Sequence, residues 1–295
     1  IYIYNGSRVT SAGTGSITLE GTRGTTNGTA GIRMLGGASG GSPVIESVSG
    51  DIHLIGQANP GAGVGILLGS SSAAPTHGGQ IISSGTATIA LEAIGGSTGI
   101  RSDANSVNRI GTGTGGAPVA SGNIALIADT IGLSNGTTQI QSTGNLLIQP
   151  RTTTTTIGLG NSALGTLNLT NAELDTIQDG FASITIGHAS GSGAMDVRGY
   201  TFKDNLILRT PIGNGDITLN GALATGSGSQ AGTITLQAGR SILGISGASL
   251  TTQGEEIVFN ADRDQGTGTD TGGGNIQLTG TDVASNGGDI VLGGG

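Results

Sequence analysis

A five-residue phrase recurs along this chain and constrains its fold more than any other feature: glycine, a polar residue, Ile or Leu, a variable residue, and Ile or Leu again. It reads Gly15-Ser-Ile-Thr-Leu19, Gly50-Asp-Ile-His-Leu54, Gly122-Asn-Ile-Ala-Leu126 and Gly144-Asn-Leu-Leu-Ile148. It returns as Gly215-Asp-Ile-Thr-Leu219, Gly232-Thr-Ile-Thr-Leu236, Gly274-Asn-Ile-Gln-Leu278 and Gly288-Asp-Ile-Val-Leu292. Alternating aliphatic and polar positions are the period of a strand with one buried face. A one-residue slip would bury Thr233 and Thr235 and expose Ile234 and Leu236, so the register is well specified. A short unit repeated over the whole length marks a solenoid, in which each repeat buries its apolar face against the next.

Spacing sets the size of the unit. Phrases that start at 15, 50 and 85 are 35 apart, with Gly31-Ile-Arg-Met-Leu35, Gly65-Ile-Leu-Leu68 and Gly99-Ile-Arg101 between or after them. Later starts fall mostly 18 to 22 residues apart. The fold expected is therefore all-β: a right-handed parallel β-helix with rungs of about 20 residues, running as one repeat segment over 1–295. Each rung holds two or three short strands, and about 14 rungs at about 4.8 Å give a rod of about 70 Å. One stretch departs from the pattern. Thr170-Asn-Ala-Glu173 matches a capping box and predicts a single helical turn over 171–178. The chain starts at Ile1 and ends on Gly293, Gly294 and Gly295 beside a strand phrase, as expected of a segment of a longer protein.

Composition enters where it decides between order and disorder. Sixty of 295 residues are glycine, and only 10% are charged and 2% aromatic. Gly/Ser/Thr-rich linkers share that profile, but a disordered chain has few aliphatics, whereas this one is 34% hydrophobic with regular spacing. Six prolines and no glycine period of three exclude collagen. The net charge is −8, Lys203 is the sole lysine, and the arginines are scattered singly, so the chain has no basic stripe for nucleic acid. No apolar run is long enough for a membrane-spanning helix. Zero cysteines exclude disulfides and thiolate zinc sites.

Residues 144–223 carry a more particular pattern. Leu146-Leu-Ile-Gln-Pro150, Ile157-Gly-Leu159, Leu167-Asn-Leu-Thr-Asn-Ala-Glu-Leu-Asp175, Ile184-Thr-Ile-Gly187 and Gly215-Asp-Ile-Thr-Leu-Asn-Gly221 follow in order. This run resembles the repetitive body of very large bacterial exoproteins of the filamentous haemagglutinin type, the two-partner secretion family; the rest shares only the generic strand phrase. The resemblance implies a secreted, β-helical adhesin or fibre at the surface of a Gram-negative bacterium. Its partners would be an outer-membrane transporter during export, flanking β-helical repeats of the same chain, and a host-cell, bacterial or other surface ligand. It carries over no catalytic residue.

Residue patterns that could carry chemistry read better as structure. Gly37-Ala-Ser-Gly-Gly41 has the spacing of a nucleophile elbow and Gly111-Thr-Gly-Thr-Gly-Gly116 that of a dinucleotide fingerprint, but neither precedes a helix. His53, His77 and His188 are far apart in sequence and lack metal-ligand spacing; His53 lies outward between Ile52 and Leu54. Glu255, Glu256, Asp262, Asp264 and Asp270 are five of nineteen carboxylates within sixteen residues, and oxygen ligands on glycine-rich turns suit calcium. The tandem ligand repeat of calcium-bound β-rolls is absent and Arg263 interrupts the cluster, so a solvated loop is the expectation, with Ca²⁺ over Asp262–Asp270 as the alternative. Asn5, Asn27, Asn135 and Asn168 head glycosylation sequons, the first three also being Asn-Gly turns. Arg151-Thr-Thr-Thr-Thr-Thr156 places its threonines along one rung, not across successive rungs as an ice-binding ladder would.

Three functions follow from these readings. The first is a non-catalytic shaft segment of a large secreted or cell-surface adhesin or fibre, with no catalytic, cofactor or metal residue. The second is a β-helical lyase or hydrolase acting on polysaccharide, for which Asp262 and Asp264 flanking Arg263 are the one close acid–base group. The third is a threonine-ladder ice- or surface-binding protein. The residues facing outward, rung by rung, discriminate among them.

Overall fold

A computed structural model of the chain describes residues 1–24, 30–37, 40–70, 77–104, 106–113, 119–134, 138–263 and 273–294. It is all-β, 53% strand and 3% helical, and its named strands pair in parallel to form long sheets, as a parallel β-helix requires. Two compact units are distinguished: Ile1–Leu147 with Ala172–Phe181, and Ile148–Asn171 with Ala182–Gly295.

In the first unit each rung has three faces. The strand Ile52–Ser70 turns a corner within its length, pairing Ile17–Thr22 along its first part and Ala30–Gly36 along its second. Gly61 and Gly63 lie at that corner with φ of +71° and +80°, a conformation that costs a residue with a Cβ. Ile89–Ser102 stacks on it in the same way. The third face runs Arg8–Ser11, Val44–Ser47, Gln80–Ser83, Asn108–Thr112 and Thr138–Gln141. Ile17 pairs with Ile52, Ile52 with Ile89, and Ile45 with Ile81, so these rungs take 35 to 37 residues, while Ile81 pairs with Ile110 and Ile110 with Ile140, 29 and 30 positions on. All are longer than the expected 20. The phrases at 31, 65 and 99 are the second face of the rungs begun at 15, 50 and 85, and period-two alternation looks the same on both faces.

In the second unit the first face stacks Ser183–Ile186, Leu206–Thr210, Ile234–Ala238, Ile257–Ala261 and Ile290–Gly294. The second face stacks Leu167–Leu169, Ile157–Leu159, Met195–Val197, Ile217–Leu219, Ile242–Gly244 and Ile276–Leu278. Tyr200–Phe202, Ala222–Thr225, Ser249–Thr251 and Asp282–Ala284 make the third. Rungs here are shorter and uneven: Ile184 pairs with Leu206, 22 positions on, but Ile257 with Ile290, 33 on. Turn length varies while the strands keep register.

The core of each unit is a set of aliphatic ladders. Ile17, Ile52, Ile89 and Ile124 stack in one, and Ile45, Ile81, Ile110 and Ile140 in another. In the second unit Ile184, Leu206, Ile234 and Ile257 stack beside Ile186, Leu208, Leu236 and Phe259, all fully or almost fully buried.

The other two parts of the phrase have separate duties. Its polar residue braces one rung to the next: Asp51 Oδ1 accepts from Thr88 N at 2.9 Å, and Asn123 Oδ1 from Asn145 N at 2.8 Å. Asn205 Oδ1 accepts from Thr233 N, and Asp216 Oδ1 from Ser241 N, both at 2.9 Å. Each donor occupies the same place in the following rung. The glycine is needed for close approach. A Cβ on Gly122 would overlap the carbonyl of Ala87, and one on Gly288 that of Glu255, while neither residue has a positive φ. Buried hydroxyls close the corner before the phrase, where Thr225 Oγ1 donates to Gly232 O at 2.6 Å and Ser285 Oγ to Gly288 O at 2.5 Å.

The expected helical turn is present but shorter, Asn171–Leu174. Beyond it Ile177 bridges Ile140 and Gln178 N donates to Ile140 O at 3.0 Å, so the third face of the first unit recaptures the backbone.

Candidate functional site

The second unit carries an open cleft of about 460 Å³ on the outward side of its second face. It originates in an irregularity. Ile157–Leu159 pairs with Leu167–Leu169 only ten positions on, which leaves 160–166 as a tight excursion instead of a rung. That excursion folds over Gly158, where a Cβ would sit 3.1 Å from Leu164 C and 3.2 Å from Ala163 Cβ. Gly160, with φ of +93°, turns it back.

Strand alternation supplies the floor. Met195 and Val197 point inward and are buried, so Asp196 and then Arg198 point outward. Thr218 is the register partner of Asp196 in the next rung, and Asn220 follows two residues later. Asp196 Oδ2 accepts from Leu164 N at 2.8 Å and from Arg198 Nε at 3.0 Å, and Oδ1 accepts from Asn220 Nδ2 at 2.5 Å. Burial works against the charge, but the Asn220, Leu164 and Arg198 bonds outweigh it and hold this carboxyl below the ordinary aspartate range. Asp196 is thus an ionised anchor for the excursion. Among the described residues it is the only carboxylate lining the cleft.

Leu164 is 73% exposed, the most exposed large apolar side chain among the described residues. It forms the wall above Thr156, Thr166, Thr218 and Asn220. Composition and phrase matching passed over this site; the signal was the ten-residue return from Ile157-Gly-Leu159 to Leu167-Asn-Leu169.

The candidates taken from sequence lie elsewhere. Gly37 and Gly41 bridge across a turn, while Ala38 and Ser39 between them lie outside the described residues. Of the fingerprint, 114–116 lie outside them as well. His53 Nε2 is 3.7 Å from Glu92 Oε2, and His188 Nδ1 accepts from Ser190 N at 2.9 Å. His77 is half-buried at 77, where its carbonyl crowds Gly36. Of the acidic stretch, Glu255 and Glu256 are exposed on a turn. Asp262 takes a positive φ of 49° with its Oδ1 buried, and Asp264 and Asp270 lie outside the described residues. Among the described residues no three His, Asp or Glu side chains come together as a metal site.

Asn5 and Gly6, at φ of 55° and 80° with Ser7 N on Tyr4 O, make the expected Asn-Gly turn. Asn27 and Asn135 lie outside the described residues. Asn168 Nδ2 donates to Ala163 O at 2.8 Å, so a glycan on that nitrogen would have to displace the excursion. Residues 151–156 form a turn in which Thr155 N donates to Thr152 O at 3.1 Å. No protein-family model, no curated protein and no solved structure matches this chain.

Proposed function

We propose that this chain is a non-catalytic shaft segment of a large secreted or cell-surface bacterial adhesin or fibre of the filamentous haemagglutinin type. One observation carries the reading: the residues that face outward change character from rung to rung. On the first face of the first unit Thr18, His53, Ala90 and Ala125 stack. On the second unit the outward ladders run Thr185, Ile207, Thr235, Val258 and Asp196, Thr218, Leu243, Gln277. A threonine grid would repeat one hydroxyl, and a catalytic face would gather acids and bases; a shaft needs only inward register.

The test is immunogold electron microscopy of the producing bacterium with antibodies raised against this chain. Label distributed along extended surface fibres is the expected result. Label confined to the cell interior would overturn the proposal.

A further inference from the structure

We propose that the cleft over Asp196 binds a carboxylate-bearing sugar, a hexuronate unit, with Arg198 holding the carboxylate. Arg198 gives only its Nε to the protein, at 3.0 Å from Asp196 Oδ2, and its side chain is 38% exposed. Among the described residues its Nη groups have no protein partner, so a guanidinium already oriented by Asp196 presents its remaining donors to the cleft. A planar donor fork matches a carboxylate. The rest of the lining matches a polyol: Thr156, Thr166, Thr218 and Asn220 line the cleft together, and among the described residues Thr218 Oγ1 and Asn220 Oδ1 have no protein partner. Leu164 adds an exposed apolar wall for the C–H face of a sugar ring.

Other ligand classes fit less well. A cation would need Asp196, whose two oxygens already accept three bonds. An extended peptide would need a free strand edge, but Met195–Val197 is paired on both sides, with Ile157–Leu159 and Ile217–Leu219. This site does not depend on the shaft reading, and a uronate-binding position can lie on any β-helical surface.

The experiment is titration calorimetry of the whole chain with a galacturonate trimer, maltotriose as the neutral control, and acetate as a bare carboxylate. Two variants accompany it. Arg198→Gln removes the fork, and Thr218→Tyr fills the cleft from a neighbouring rung; circular dichroism reports that each retains its strands. The expected result is saturable trimer binding, at least tenfold weaker in Arg198→Gln and lost in Thr218→Tyr, with no binding of maltotriose. Absence of trimer binding, equal affinity for maltotriose, full competition by equimolar acetate, or unchanged affinity in folded variants would each overturn the proposal.

Discussion

Replacing Ile217 with alanine tests the ladder architecture at one rung. Ile217 is fully buried and stacks directly between Met195 and Ile242, which are also buried. Truncation removes three carbons, about 2.4 kcal/mol of transfer free energy at about 0.8 kcal/mol each. The cavity adds to this, because both neighbouring rungs are fixed by their own backbone ladders and cannot settle inward; about 3 to 4 kcal/mol in all is the expected loss. Thr218, next along the strand but half-buried on the outward side, should change stability by no more than about 0.5 kcal/mol as Thr218→Ala. A repeat stack does not unfold as a single two-state unit, so the readout must be local. Native-state hydrogen exchange serves, because Ile217 N donates to Ser241 O and Met195 N to Asp216 O, reporting the junctions on either side. Exchange at both amides should accelerate by two orders of magnitude or more in Ile217→Ala and remain close to wild type in Thr218→Ala. Equal effects at the two positions would refute the assigned inward register.

Three further outcomes are expected. Asp216→Ala should lower local stability by about 1.5 to 3 kcal/mol, read by native-state hydrogen exchange at the Ile217 amide, because it removes the acceptor of Ser241 N and Arg240 Nε, whereas Asp216→Asn should keep the Ser241 bond and lose less. The carboxyl of Asp196 has a folded-state pKa below its unfolded value, so its contribution is complete above about pH 4 and disappears as pH falls through the folded value. Protection of the Leu164 amide should therefore fall in that acid window in the wild type and be insensitive to it in Asp196→Asn. Millimolar calcium should move the melting temperature by less than a few degrees, since Glu255, Glu256 and Asp262 form no three-ligand group.

The architecture was legible because inward aliphatics and register are written in the same phrase. Ile52 and Leu54, or Ile234 and Leu236, have only one side to bury, and stacking like on like follows. Rung length was not legible, for a physical reason. A solenoid's turns lie on its surface and tolerate insertion, so the spacing between phrases measures turn length as much as circumference. Alternation cannot tell the second face of one rung from the first face of the next; only the pairing of Arg33 with Leu67, and not with a residue of the phrase at 50, separates them. Alternation alone makes the polar residue of the phrase simply outward-facing. Its preference for Asp and Asn reflects a short acceptor that reaches the N–H one rung on, as Asn123 reaches Asn145.

The cleft was hidden because it arises where the repeat fails. A motif search finds what recurs, and the outward ladder at this level is occupied only once by an acid, Asp196, with Gly158 before it and Thr218 after. What turns that single acid into a site is the excursion at 160–166, which packs closely over Gly158 and brings Leu164 N to Asp196. Adding one methyl as Gly158→Ala would press on Ala163 and Leu164, which would have to give by a few tenths of an ångström. The inward residues Ile157 and Leu159 would be untouched, since side chains alternate across the strand. The repeat architecture and the cleft are therefore separable: the fold depends on the repeated inward residues, and the site on one acid and a turn that leaves the repeat.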